Sequence, residues 1–196
     1  LGKRNQFENL NDRGESCTQL CHSYVFRIGN RNLRMIDTPG IGDTRGIDYD
    51  KKNFDEILTH LAQYKYMNAI RVLFKPNEER LSVQFRFCFN ELLRHLDVTA
   101  KDNIVFVFTN SRSSFFRPAN TKKLINVLLE EHKTENGVSI PFSRENSFFF
   151  DNEAFRYLAL CKNGINLDDK EKESYMKSWN QTVDEYSRLM SRVVRC

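Results

Sequence analysis

Apolar and polar positions alternate along this chain in two different periods, and the change from one to the other marks its elements. Residues 1–21 are polar and irregular. Residues 23–28 then carry β-type side chains (Tyr24, Val25, Phe26, Ile28), Gly29-Asn30-Arg31-Asn32 reads as a turn, and 33–36 resumes the apolar pattern, which predicts a β-hairpin. From Asp48 the period becomes helical, with Phe54, Ile57, Leu58 and Leu61 three and four apart. Residues 69–74 form a short buried strand stopped by Pro76. Ser82 caps a helix whose apolar face is Phe85, Cys88, Phe89, Leu92, Leu93 and Leu96. The unbroken apolar run 104–108 fits a buried parallel strand. Asn120 or Thr121 caps a helix carrying Leu124, Val127 and Leu128. Residues 148–150 are a last strand, followed by a helix through Phe155, Leu158 and Ala159. A polar linker covers 162–172, and from Ser174 the positions Tyr175, Trp179, Val183, Tyr186, Met190 and Val193 follow helical spacing. Strands alternating with helices imply an α/β fold with a mostly parallel sheet, helices on both faces and ligands at the carboxyl ends of the strands.

Composition narrows the class. At 196 residues and 40% hydrophobic content, the chain suits one α/β domain with a short appendage. Sixteen Phe, several of them clustered, point to a packed core rather than disorder. A net charge of +4 against 29% charged residues is a mixed, solvated surface, and with no basic stripe interleaved with aromatics no nucleic-acid partner is expected. No apolar run is long enough for a transmembrane segment. The five cysteines form no C-x-x-C pair and no zinc spacing with the scattered histidines, so free thiols in a cytoplasmic setting are expected.

The clearest chemistry is Asp37-Thr38-Pro39-Gly40, directly after a strand. A carboxylate at that strand end can hold Mg2+ through its water shell, and a glycine N–H can approach a γ-phosphate because no Cβ intervenes. The same four residues also read as a Pro-Gly turn with an Asp cap. Extended to D-T-P-G-I-G-D, the motif resembles switch II of septin-related GTPases and of the GTPases of immunity-associated proteins, the GIMAP family. The second family also fits the opening. Leu1-Gly2-Lys3-Arg4 with Phe7 resembles its I-L-G-K/R-x-x-F segment, and Thr18-Gln19-Leu20-Cys21 resembles its switch I Thr-x-x-Cys. The similarity runs from Leu1 to about Ala159.

The resemblance implies a three-layer phosphate-loop GTPase fold with a mostly parallel sheet and one antiparallel hairpin, covering 1–162, then a linker over 163–173 and a C-terminal helix over 174–196. It implies GTP/GDP as ligands, Mg2+ as cofactor, slow hydrolysis and nucleotide-dependent switching or homo-oligomer assembly. Thr18 and Asp37 become the metal residues, and Thr18 and Gly40 meet the γ-phosphate. Arg80-Leu81-Ser82 resembles the family's Arg-Tyr/Phe-Thr, so Arg80 is the candidate catalytic residue, reaching a partner's phosphates across a dimer; the same Arg also reads as a solvated residue near a helix start. Ile41 stands where Ras-like enzymes place a water-orienting Gln, so hydrolytic help must come from elsewhere.

The base-reading end departs from the family. Thr109-Asn110-Ser111-Arg112 ends the strongest strand, and Arg112 occupies the place of an Asp that accepts from guanine N1 and N2. A guanidinium has only donors and cannot make those bonds. Thr109 and Asn110 remain candidates for packing along the base. Asn152 resembles the family's base-facing Asn, and either it or Asp151 is placed to serve the guanine edge; both also read as an Asx cap on the helix beginning near Glu153.

No G-x-x-x-x-G-K-S/T phosphate loop occurs in the chain. The resemblance places Leu1 just after the helix that follows that loop, so the fold is expected to lack its first strand, which would lie between strands 33–36 and 69–74. The alternative to a GTPase is a pseudo-GTPase interaction module that neither binds nor hydrolyses nucleotide.

Overall fold

The computed structural model describes residues 18–40, 46–96 and 98–194. The expected I-L-G-type segment at Leu1–Phe7 and the switch positions Ile41, Gly42 and Asp43 lie outside them. The chain forms two compact units, one of residues 1–66 with 82–95 and the other of 67–81 with 96–196.

In the first unit, β1 (His22–Ile28) and β2 (Arg31–Asp37) pair antiparallel, with His22 opposite Asp37 and Ile28 opposite Arg31. Gly29 takes the left-handed conformation in the turn, φ 58°, which a residue without Cβ adopts without strain. Helices α1 (Ile47–Leu61) and α2 (Val83–His95) pack together through the predicted positions. Phe54, Ile57, Cys88, Phe89 and Leu93 are buried, and the Phe54 ring meets His95 edge-on at 6.2 Å. Ser82 caps α2 as expected, accepting from the Phe85 N–H at 3.0 Å.

The second unit is built on a parallel sheet of order β3-β4-β5: β3 (Ile70–Phe74), β4 (Ile104–Phe108) and β5 (Ser147–Phe149). β4 is central and every one of its residues is buried, as its unbroken apolar run requires. One face stacks aromatic rings: Phe74 on Phe108 at 5.8 Å, Phe108 on Phe149 at 4.9 Å and Phe142 edge-on to Phe106 at 4.8 Å. On the other face Val105, Val107 and Phe148 pack with Leu189. Strands 33–36 and 69–74, expected to flank a further strand, belong to these two different sheets.

Three helices complete this unit: α3 (Thr121–Asn136), α4 (Glu153–Lys162) and α5 (Asp169–Val193). α3 buries Ile125, Leu128, Leu129 and His132, so its inner face is turned from the expected Leu124-Val127-Leu128 stripe, and Val127 is exposed. The apolar positions of α4 also point outward, with Phe155 and Leu158 exposed. α5 begins at Asp169, inside the stretch expected to be linker. A capping box starts it there: the Glu171 N–H donates to Asp168 Oδ1 at 2.8 Å and the Asp168 N–H to Glu171 Oε2 at 3.0 Å. Its first turns are solvated and charged, so no apolar period announces them.

α5 turns a polar face to the sheet. Ser178, Glu185 and Leu189 are buried, whereas Trp179, Val183 and Tyr186 of the predicted apolar stripe are exposed. The inward polar groups occupy the edge of β5. The Glu185 carboxylate accepts from the Phe149 N–H at 3.1 Å, Arg188 and Arg144 donate to the Ser147 carbonyl, and Thr182 Oγ1 accepts from the Asp151 N–H and donates to the Asp151 carbonyl. Arg144 and Arg188 also pair with Glu185, whose side chain is only 4% exposed. An edge strand's unpaired groups are thereby satisfied by side chains rather than by another strand.

Replacing Glu185 by Ala leaves that N–H without its acceptor and removes the carboxylate that pairs with Arg144 and Arg188. The expected cost is about 2–3 kcal/mol, read as a lower urea midpoint at unchanged slope. A midpoint equal to the wild type's would show that the edge is held by packing alone.

Candidate functional site

The sequence-predicted residues fall into two groups, one in each unit. In the first unit, β2 ends at Asp37, and Thr18, nineteen positions earlier, donates from Oγ1 to Asp37 Oδ2 at 3.4 Å. Thr18 is thus next to Asp37, while Gly40, directly after the buried Pro39, is exposed. The donor set here is two hydroxyl and carboxylate oxygens, the type Mg2+ takes, and one or two protein oxygens suit an ion that keeps most of its shell as water and phosphate. The pair therefore fits the implied metal. Among the described residues no group of three or more His, Cys, Asp or Glu could hold a metal ion. Cys21, the last residue of the Thr-x-x-Cys segment, is buried, and burial, with smaller contributions from Glu56 and Asp37, pushes its thiol up to about 11. A buried thiol held in its neutral form is a weak nucleophile.

In the second unit the carboxyl ends of the three parallel strands are tied to one another. The Thr109 N–H donates to the Phe74 carbonyl at 2.9 Å and its hydroxyl reaches the same oxygen at 3.3 Å. The Ser111 N–H and hydroxyl both donate to the Phe150 carbonyl, at 3.1 and 2.6 Å. Between them Asn110 adopts a left-handed backbone, φ 57°, a conformation Asn tolerates better than most residues. Phe115, Phe116 and Ala119 also have positive φ, so the segment after β4 is a tight, conformationally costly loop. Ser111 and Ser114 are buried inside it. Thr121, first residue of α3, clamps the loop after β3, accepting from the Glu78 N–H and donating to the Lys75 carbonyl, each at 2.9 Å. Arg80 follows on that loop and is exposed.

Arg112 is engaged within the unit. It donates to Ser174 Oγ, lies over the Tyr175 ring at 5.6 Å and stands 3.9 Å from Glu153 Oε2. Asp151 and Asn152, adjacent in sequence, face different ways. Asn152 is exposed at the start of α4, where its side chain makes no capping bond. Asp151 is buried and accepts from Ser178 Oγ of α5 at 3.3 Å. Burial, then the neighbouring Glu153 carboxylate, raise its pKa above the ordinary 3.8, against smaller opposing effects of Ser178 and Arg112.

Sequence reasoning passed over Ser111, Ser178 and Glu153. The two serines carry no pattern that separates them from solvated loop residues. Asp151 and Glu153 are the acidic residues in 109–120 and 150–153, and the local sequence does not separate the two. Compared with models of known protein families and with curated proteins, the chain matches none.

The Asp151 environment has a pH signature. Its folded pKa is raised, so its contribution to stability is complete below about 3.8 and is lost as pH rises through the folded value. Wild type minus Asp151→Asn unfolding free energy should therefore fall as pH rises from 3.8 and then level off. A difference that is flat, or that grows with pH, contradicts the buried placement.

Proposed function

We propose that this chain is part of a guanine-nucleotide-binding protein of the GIMAP-like class that uses Mg2+, hydrolyses GTP slowly and switches or assembles with its nucleotide state. The observation that carries the reading is the approach of Thr18 to Asp37, which joins the two segments proposed as switches I and II. Thr18 and Asp37 would hold Mg2+, which when bound neutralises charge on the phosphate oxygens. The Gly40 N–H, free of a Cβ, is suited to approach a γ-phosphate oxygen. Thr109 is tied to β3, so its role at the base is to hold the strand ends in place, leaving the side chains of Asn110 and Asn152 to lie along the purine. Arg80, exposed on its loop, is free to reach a second molecule's phosphates. The sequence carries no G-x-x-x-x-G-K-S/T motif of the kind that cradles a triphosphate.

A second reading, a pseudo-GTPase interaction module, draws on one specific observation. Arg112 replaces the base-reading acid and is held by Ser174, Tyr175 and Glu153, and Asp151 is turned away toward α5. A module that has given up nucleotide would tolerate both.

Competition titration of the native full-length protein with Mg2+ separates the two. GTP and GDP should displace a fluorescent guanine nucleotide at least about tenfold better than ATP and ADP, a difference of roughly 1.4 kcal/mol. Arg80→Ala should slow turnover at high protein concentration, by on the order of a thousandfold for a full arginine finger. Equal displacement by ATP contradicts guanine specificity, unchanged turnover contradicts the Arg80 role, and no binding of either nucleotide supports the interaction module.

A further inference from the structure

We infer that Glu153 supplies the carboxylate that reads guanine, and that Arg112 is the residue that positions it. The inference rests on the nucleotide reading above and names the base contact within it. Guanine presents donors at N1 and N2, so a site selective for it needs an acceptor with two oxygens, and a carboxylate accepts both hydrogen bonds at once. The segments at the carboxyl ends of β4 and β5, residues 109–120 and 150–153, contain two carboxylates, Asp151 and Glu153. Asp151 is 5% exposed and bonded to Ser178 on α5, so it is occupied on the inner side of the loop. Glu153 remains partly exposed, its side chain at 29%.

Arg112 explains how a carboxylate from α4 comes to stand beside the loop after β4. Its guanidinium is fixed on the α5 side by Ser174 Oγ and the Tyr175 ring, and its Nη1 lies 3.9 Å from Glu153 Oε2. Arg156, one turn along α4, holds the other oxygen, Nη1 to Oε1 3.5 Å. The two cations orient the carboxylate, and each carboxylate oxygen has a further lone pair for a ligand donor. The two loops cannot drift apart, because the Ser111 N–H and hydroxyl both bond the Phe150 carbonyl. The position that carries an acid in related GTPases thus carries the acid's support, and the acid arrives from the next loop.

The test is the preference of the native full-length protein between GDP and xanthosine diphosphate, whose C2 carbonyl replaces the guanine amine. Glu153→Gln should weaken GDP binding by about tenfold or more, the value of a hydrogen bond to a charged group. It should strengthen xanthosine diphosphate binding, since the amide then donates to that carbonyl. Glu153→Asp, a second variant with a shorter carboxylate, should bind GDP more weakly and still prefer it to xanthosine diphosphate. Arg112→Met should lower the GDP preference without exchanging it for xanthosine diphosphate. A purine preference unchanged in both Glu153 variants, or one exchanged by Asp151→Asn instead, overturns this inference and leaves nucleotide binding standing. A wild-type protein that binds no guanine nucleotide overturns both.

Discussion

The hydrogen bonds from the polar face of α5 to the edge of β5 fix the arrangement of the larger unit. Thr182, Glu185 and Arg188 lie on one side of the helix, three residues apart, and each meets a backbone group of β5 or of Asp151, two residues beyond its end. Without them the parallel sheet would end in a row of unpaired groups, a template for another chain. The helix is therefore oriented by polar matching. One layer deeper, Leu189 joins Val105, Val107 and Phe148 in the core, so the apolar contact follows from the orientation that the hydrogen bonds set. The exposed Trp179, Val183 and Tyr186 are the other face of the same constraint.

That constraint reaches the loops. Thr182 grips the backbone of Asp151, and Ser178 its carboxylate, so the segment leaving β5 is anchored to α5 at its second residue. Ser174 and Tyr175, at the start of the same helix, hold Arg112 from the segment leaving β4. The two segments are then joined by Ser111 and the Phe150 carbonyl. Preorganised polar groups on rigid supports are what base recognition needs. Left-handed backbone at Asn110, Phe115, Phe116 and Ala119 is a cost that such fixation can offset.

Much of the fold was legible because its strands have strong signatures. The run from Ile104 to Phe108 could only be a central strand, and the Gly29-Asn30 turn between alternating segments could only be a hairpin. The inner faces of α3, α4 and α5 were misread for one reason. Apolar periodicity assumes that apolar residues face inward, and here Phe155, Leu158, Trp179 and Val183 do not. Asp168-x-x-Glu171 carried the signal for the start of α5, but the apolar pattern drowned it. At the candidate site, Thr18 meets Asp37, and the segments after β4 and β5 are bonded together. Which side chains turn inward was not readable, because Asp151 and Glu153 differ in their tertiary partners and not in their local sequence.

The central claim is that the strand-end loops described here receive a nucleotide. Amide hydrogen exchange of the native full-length protein, with and without GDP and Mg2+, tests it at residue resolution. The account predicts added protection at Asn110–Arg112 and Asn152–Glu153, with the α3 surface unchanged. Identical exchange in both states, or protection confined to other surfaces, would contradict it.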